Sequence, residues 1–223
     1  MCNKTGIEFG RKNLALEDVQ GKSVIEVGAY DVNGSLRFFV EDLKPASYLG
    51  VDIEMGPGVD EVCNAEDLIE RFGQNAFDVL ISTEMLEHVR NWRVVISNLK
   101  NVVKPGGILL LTTRSIGFRY HGYPYDFWRY ELADMEAIFS DFKIDALESD
   151  ALAPGVFLRA QKPDNFEEMD TSSYQLYSIV KRNRITDISD WDIMQFKIKR
   201  SIYSIKGMRY LKRLYKSVKS TQH

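Results

Sequence analysis

The sequence predicts an α/β protein with a doubly wound, mostly parallel seven-stranded sheet and a helical, basic C-terminal extension. Three observations predict it. Apolar strand candidates alternate with helical segments over most of the 223 residues. The stretch SVIEVGAYDVNGS, residues 23–35, ends a buried strand in an acid and a glycine before a helix opens. Two late strand candidates follow each other without a helix between them, which indicates a hairpin and one antiparallel strand.

The composition is that of a globular protein, with 44% hydrophobic and 27% charged residues. Cys2 and Cys63 are too few for a disulfide framework and fit no zinc-ribbon spacing, so we expect a reducing compartment and no metal site. The N-terminus lacks the apolar segment of a signal peptide, and no run approaches the ~20 apolar residues of a membrane span. We therefore expect a cytoplasmic protein.

The net charge of −3 conceals a strong asymmetry along the chain. From Thr171 onward there are 12 Lys and Arg against 3 Asp and Glu, whereas the preceding residues carry 17 basic and 29 acidic side chains. The charge therefore divides the chain into an acidic body and a basic tail. We expect an acidic α/β domain over residues 1–165 and a helical basic extension over 166–223.

The first third of the chain sets up the ligand-binding edge. Residues 1–20 read as an irregular arm with a short helix near 14–19, and 24–28 is the first strand. A helix from Gly34 places Leu36, Phe39, Val40 and Leu43 on one face before proline 45 stops it. The second strand, 48–52, ends in an acid, and a short strand at 60–63 and a helix at 66–72 follow.

The middle of the chain contains the most apolar strands. FDVLIS, at 77–82, reads as a buried strand, and a helix follows at 92–103. The turn KPGG breaks that helix and leads into ILLLTT, at 108–113. A long aromatic loop over 115–130 precedes a helix at 132–139 and the strand pair 142–147 and 155–160. In the extension, helices are predicted at 174–181 and 194–217.

Asp52 carries the first functional hypothesis. It closes the second strand 24 residues after Gly28, a spacing at which an acid can accept both hydroxyls of a bound ribose. The alternative is an acid that caps a turn. The first loop lacks the G-x-G-x-x-G pattern and contains Asp31, which would repel a pyrophosphate, so a nicotinamide-dependent oxidoreductase is disfavoured and a cationic ligand is favoured.

Four segments, in order, resemble the class I S-adenosylmethionine-dependent methyltransferases, in particular the type 11 group. They are IEVGAYDVNGS, YLGVDIEMGPGVD, FDVLISTEMLEHV and LKNVVKPGGILLLTT, and the resemblance covers about Val24 to Ala160. HGYPYDFWRY narrows it toward relatives that methylate cell-surface glycans or small molecules. One departure is Tyr30, which stands where the family usually has a second glycine.

The resemblance implies a Rossmann-like methyltransferase fold, S-adenosyl-L-methionine as the cofactor, and a set of binding residues. Glu26, Gly28 and Ala29 would line its methionine end, with Thr83 and Glu84 beside them. Asp52 would hold the ribose hydroxyls and Ile53 would pack on the adenine. Asn64 and Ala65 would contact the adenine edge.

Methyl transfer needs donor and acceptor aligned, and a protein base only where the acceptor carries a proton to be removed. His88 follows the fourth strand, and His121 and Asp126 lie in the aromatic loop, so these three are the candidate catalytic residues. The alternative for His88 is a structural cap of a short helix. The alternative for the loop, with seven aromatic residues among 118–130, is a lid packed on the sheet.

The basic tail places apolar residues at helical spacing from Ile198 to Val218, with Lys and Arg between them. Such a helix can pack on a subunit, lie on an anionic membrane surface or contact nucleic acid. The leading function is methylation of a small-molecule or sugar hydroxyl. The alternatives are a catalytically degenerate cofactor-binding scaffold and an RNA methyltransferase, which the acidic body makes unlikely. The sequence does not predict an oligomeric state.

Overall fold

A computed structural model describes residues 4–122 and 125–202. Its main sheet has seven strands in the order β3-β2-β1-β4-β5-β8-β7. Every neighbouring pair is parallel except the two that involve β8, which runs antiparallel to both β5 and β7. The predicted doubly wound sheet with one antiparallel strand is therefore confirmed.

The strands of this sheet lie close to their predicted positions. They are β1 (Ser23–Val27), β2 (Ser47–Asp52), β3 (Glu61–Val62), β4 (Phe77–Thr83), β5 (Val103–Arg114), β7 (Lys143–Ser149) and β8 (Gly155–Gln161). A second, three-stranded antiparallel sheet has the order β10-β9-β6. Its strands are β6 (Trp128–Arg129), β9 (Leu176–Ser178) and β10 (Asn183–Ile185).

Helices cover both faces of the main sheet, because its central strands are apolar on both sides. The helices are α1 (Lys4–Asn13), α2 (Leu16–Val19), α3 (Arg37–Asp42), α4 (Leu68–Phe72), α5 (Trp92–Val102), α6 (Leu132–Ile138) and α7 (190–202). One core layer packs α4, α5 and α6 against the sheet, and the other packs α1, α2 and α3 against its opposite face. Among the described residues, no helix is long and apolar enough to cross a membrane.

Three local predictions were wrong. Residues 4–13 form a helix rather than an irregular arm, because Phe9 is buried against the ring of Phe157, 5.3 Å away, a contact that local sequence does not reveal. The KPGG segment lies inside β5, where the register with β4 shifts, instead of forming a separate turn. Residues 174–181 contain strand β9 instead of a helix, because Leu176–Ser178 pairs with both β6 and β10.

Arg93, on α5, holds the first part of the extension against the body. Its guanidinium donates hydrogen bonds to the carbonyl oxygens of Thr171 (2.7 Å), Tyr174 (2.7 Å) and Thr186 (2.9 Å). Tyr174 and Thr186 lie at the open end of the β9–β10 hairpin, where Leu176 pairs with Ile185, so one side chain binds the start of β9 and the end of β10 together.

The predicted tail helix begins earlier than expected. Helix α7 starts at residue 190 and is described through residue 202. The rest of the predicted helix, with most of the basic amphipathic stripe, lies outside the described residues.

Asp78 joins the starts of three chain segments and gives a prediction about acid stability. Its carboxylate accepts from the Ser23 backbone N–H (2.9 Å), the Ser23 hydroxyl (2.6 Å) and Lys104 Nζ (2.9 Å). Burial alone would raise the pKa of Asp78, but these donors outweigh it and lower the pKa from 3.8 to about 2.

Because the folded-state pKa is depressed, the ionised Asp78 stabilises the fold above pH 3.8, and this stability is lost as the pH falls towards 2. We expect Asp78→Asn to lower the melting temperature at pH 7 and the difference from the unmodified chain to shrink steadily between pH 4 and pH 2. Thermal unfolding across this range measures it. A difference that stays constant with pH would contradict the assignment.

Candidate functional site

The first half of the site lies where the strand order reverses. The chain runs outward from β1 to β2 and β3 on one side and continues with β4 and β5 on the other, so a crevice opens at the carboxyl ends of β1 and β4. Gly28 follows β1 with φ of +82°. The backbone N–H groups of Gly28 and Ala29 both donate to Val51 O, at 2.9 and 3.1 Å, which fixes the first loop to β2.

Asp52 closes β2 beside this loop. Its Oδ2 accepts from the Tyr30 backbone N–H (3.1 Å), and its Oδ1 accepts from the Ile53 backbone N–H (2.7 Å). The capping alternative is thus realised, yet each oxygen retains acceptor capacity and the side chain is only half-buried. Ile53, 52% exposed, presents an apolar surface next to it. An accessible carboxylate and an exposed apolar side chain therefore lie side by side at the end of β2.

Other predicted cofactor residues differ in their accessibility. Asn64 is exposed and its Oδ1 accepts from the Glu66 backbone N–H (3.0 Å), while Ala65 is buried. Glu26 is buried and accepts from the Tyr48 hydroxyl (2.6 Å). Burial raises the pKa of Glu26 to about 7. Glu26 therefore binds the neighbouring strand β2 through Tyr48, whereas Asp52 and Ile53 are accessible to a ligand.

The first loop is held by a second loop that crosses it. The Asp31 N–H donates to Pro57 O (2.8 Å), and the Asp31 carboxylate accepts from the Gly34 N–H (2.7 Å). The Tyr30 ring lies so close to Gly56 that a Cβ there would stand 2.2 Å from it. Tyr30, at the position of the family's second glycine, is thus turned outward onto Gly56, and its side chain is 36% exposed.

The second half of the site lies at the carboxyl ends of β4 and β5. Thr83 is buried at the end of β4. Glu84 follows with φ of +55°, a left-handed conformation that is uncommon for a residue with a side chain. Its carboxylate is buried and paired with the guanidinium of Arg114, at the end of β5. Burial, and next the charge of Glu87, raise the pKa of Glu84.

Glu87 is the most deeply buried acid of this half, with no exposed surface, and lies in a single 3-10 turn over Leu86–His88. Its Oε2 accepts from the Thr113 hydroxyl (2.9 Å). Its Oε1 lies 3.7 Å from His121 Nε2 and 3.9 Å from His88 Nε2. Burial opposes ionisation, but the nearby imidazoles and the Thr113 hydroxyl outweigh it and lower the pKa of Glu87.

The structure brings the three predicted catalytic residues together. The rings of His88 and His121 lie 4.8 Å apart, and His121 Nδ1 lies 3.1 Å from Asp126 Oδ2. Burial would lower the pKa of His121, but Asp126 and Glu87 outweigh it and raise the pKa to about 9. Asp126 is buried and bound by both terminal nitrogens of Arg129, so it orients His121 and has no exposed surface for a substrate.

The aromatic loop is anchored from two directions. Arg129 is completely buried and donates to the carbonyl oxygens of Phe118 (3.4 Å) and Arg119 (3.2 Å) as well as to Asp126. From outside, α7 packs Phe196 and Arg200 against Tyr120. The ring centroids of Phe196 and Tyr120 are 5.2 Å apart, and Arg200 Cζ lies 4.0 Å from the Tyr120 ring centroid. Of the predicted loop aromatics, Tyr123 lies outside the described residues.

Sequence reasoning missed Glu87, Thr113 and Arg114. Glu87 could have been identified from the sequence, because it stands next to His88 in EMLEHV and an acid beside a candidate base indicates a functional site. The importance of the others depends on partners at least 26 residues away or on complete burial.

Gly28 gives a prediction with an internal control. A Cβ on Gly28 would stand 2.7 Å from the Met85 side chain, whereas one on Gly21, with φ of +69°, would meet nothing within 4 Å. Gly21→Ala therefore reports backbone strain alone, about 1–2 kcal/mol. Gly28→Ala adds overpacking of about 1–3 kcal/mol. Urea unfolding measures both, and equal losses would show that the close approach to Met85 is unimportant.

The fold and this crevice define a class I methyltransferase architecture: a seven-stranded sheet with one antiparallel strand, a glycine after β1 and an acid after β2. A family model for the methyltransferase domain matches residues 7–155, more than half of the chain. The chain belongs to this methyltransferase family, and S-adenosyl-L-methionine is its cofactor. No curated protein matches the chain.

Solved structures share the fold at low sequence identity. An S-adenosylmethionine-dependent methyltransferase from Mesorhizobium loti is 16% identical with a TM-score of 0.52, covering 72% of this chain and 99% of its own. The Burkholderia thailandensis 1,6-didemethyltoxoflavin-N1-methyltransferase, with bound S-adenosylhomocysteine, is 12% identical with a TM-score of 0.57, covering 73% and 80%. The cyclase SpnF is 15% identical with a TM-score of 0.55, covering 70% and 79%. A shared fold therefore leaves the acceptor open.

Proposed function

We propose that this methyltransferase methylates a hydroxyl group of a small-molecule or sugar acceptor. The observation that carries the proposal is the Glu87, His88 and His121 cluster at the carboxyl ends of β4 and β5, adjacent to the cofactor crevice. A hydroxyl loses a proton when it is methylated, so a site for hydroxyl acceptors needs groups that handle that proton.

When bound, S-adenosylmethionine supplies a methyl group on a sulfonium, which a nucleophile displaces in line. The chain's own residues then have two tasks. Asp52 and Ile53 hold the nucleoside, and the described parts of the aromatic loop, residues 118–122 and 125–127, cover the acceptor side. His88 Nδ1 faces the Tyr125 carbonyl, which can only accept, so this nitrogen carries the hydrogen and Nε2 keeps its lone pair. His88 Nε2 is the proposed proton acceptor, with His121 and Asp126 as its neighbours.

The experiment is transfer of labelled methyl from S-adenosylmethionine to a panel of sugars and hydroxylated small molecules, with matched amines and thiols. We expect the labelled methyl group in hydroxyl acceptors. The product should resist hydrolysis, and mass spectrometry should place the label on an ether carbon. Label only in amines or thiols would overturn the hydroxyl assignment. Cofactor binding without transfer to any acceptor would favour the scaffold alternative.

A further inference from the structure

Three ligand-type atoms converge on one small space at the centre of the acceptor side. Glu87 Oε1 and His88 Nε2 are buried and have no hydrogen-bond partner among the described residues. Oε1 lies 3.9 Å from His88 Nε2 and 3.7 Å from His121 Nε2. These separations are too long for hydrogen bonds, and the ligand atoms of the three residues all lie within 4.8 Å of one another.

The outward-facing atoms of all three residues are already engaged. His88 Nδ1 contacts the Tyr125 carbonyl oxygen, and His121 Nδ1 lies 3.1 Å from Asp126 Oδ2. Glu87 Oε2 accepts from the Thr113 hydroxyl at 2.9 Å. Outer bonds of this kind, from an imidazole to a carbonyl or carboxylate, fix the ring and the tautomer of histidines that bind metals. Here they leave Nε2 of both rings directed at the same carboxylate oxygen.

We propose that Glu87, His88 and His121 bind a divalent first-row transition-metal ion. Two imidazoles and one carboxylate suit zinc, manganese, iron, cobalt or nickel and leave coordination positions open. Metal–ligand bonds of about 2.0–2.2 Å place ligand atoms around an ion somewhat closer together than the present separations. Small rotations of the three side chains therefore suffice to close the site.

The charge of the site favours a cation over an empty cavity. A buried carboxylate oxygen facing two imidazole lone pairs is unfavourable unless a proton or a metal lies between them. A proton held by His121 is the competing occupant, since Asp126 also supports the charged imidazole. The two occupants differ in a measurable way, because only the metal site requires all three residues.

The ion would sit where the acceptor enters. The His88 and His121 side chains are 15% and 24% exposed although Glu87 Oε1 and His88 Nε2 are themselves buried, so the ion would lie just beneath the surface. With the ion bound, His88 Nε2 would be a ligand and no longer the proton acceptor, and an acceptor hydroxyl on the ion would lose its proton to solvent more readily, as a metal-bound water does. This role rests on the proposed function, whereas metal binding itself does not.

The test is titration of the chelator-treated full chain with cobalt(II), followed by the visible ligand-field spectrum and by calorimetry. We expect one ion per chain, and weakening of at least about 100-fold in Glu87→Gln and in His121→Gln, beyond what loss of an outer-sphere partner costs. The chain has three histidines, and His223→Gln, outside the described residues, is the matched control that should bind cobalt normally.

Circular dichroism and S-adenosylmethionine binding are measured on the same samples. They separate this proposal from the proposed function, because metal binding is scored without acceptor or turnover. A folded unmodified chain that binds no cobalt, zinc or manganese at millimolar concentration would overturn the proposal and leave the proton as the occupant. Cobalt binding that survives Glu87→Gln and His121→Gln unchanged would overturn it as well.

Discussion

Replacing Asp52 with alanine is expected to weaken S-adenosylmethionine binding by about 100-fold, because it removes the two hydrogen bonds that we propose between this carboxylate and the ribose hydroxyls, at about 1.5 kcal/mol each. The carboxylate closes β2 next to the first loop and stays half-buried, with lone pairs left over after it accepts from the Tyr30 and Ile53 N–H groups. Calorimetric titration of S-adenosylmethionine and S-adenosylhomocysteine measures the loss. Asp52→Asn keeps one acceptor oxygen, so its affinity for the cofactor should lie between those of the unmodified chain and Asp52→Ala.

Part of the effect of Asp52→Ala comes from the turn that this carboxylate caps. Asp170→Ala is the control for that part, because the Asp170 carboxylate also caps a turn, accepting from the Ser172 N–H at 2.8 Å, and follows neither β1 nor β2. Asp170→Ala should leave cofactor affinity unchanged. Equal affinity of Asp52→Ala and the unmodified chain would show that the ribose is held elsewhere, and the cofactor geometry would need to be redrawn.

Replacing Arg129 with methionine is expected to cost about 3–5 kcal/mol and to lower the melting temperature by about 10 °C. Arg129 and Asp126 have fully buried side chains, and the two groups form a bidentate pair with distances of 2.5 and 2.8 Å. Methionine fills similar volume but leaves the Asp126 carboxylate buried without its cation. It also removes donors to the Phe118 and Arg119 carbonyls, so the loop that carries His121 loses its inner anchor.

The control for Arg129→Met is an ion pair in water. Lys12 and Glu148 pair at 2.7 Å with side chains 66% and 43% exposed, so Lys12→Met should cost no more than about 1 kcal/mol. Differential scanning calorimetry of both variants measures the contrast. A loss in Arg129→Met as small as that in Lys12→Met would mean that the buried pair is replaceable by apolar packing.

The main sheet was predictable because its strands are local apolar runs in the sequence. Runs such as FDVLIS and ILLLTT are apolar enough to specify buried strands, and the structure places the edges of β1 and β4 within one residue of the prediction. Strand β9 was not predictable. Leu176–Ser178 is three residues long and takes its conformation from pairing with Trp128–Arg129, whose residues lie 48 and 50 positions earlier in the chain than their partners. Long-range pairing overrides local propensity in such short segments.

The site residues likewise include some that were predictable from local sequence and others whose arrangement was not. Gly28, Asp52 and Ile53 follow strand ends, and a strand end is visible in sequence. His88, His121 and Asp126 were identified as chemical types, but their arrangement was not. That Asp126 serves His121 and Arg129, and that Glu87 lies at the centre, follows only from the meeting of β4, β5 and the aromatic loop.

The contacts of Arg93 determine how the small sheet comes apart. Because one guanidinium on α5 bonds to backbone carbonyls before β9 and after β10, at the open end of their hairpin, detaching either strand at that end breaks hydrogen bonds to Arg93. We therefore expect the segment from Thr171 to Thr186 to open as one unit, so that its amide protons exchange with solvent through one shared event rather than by fraying from this end.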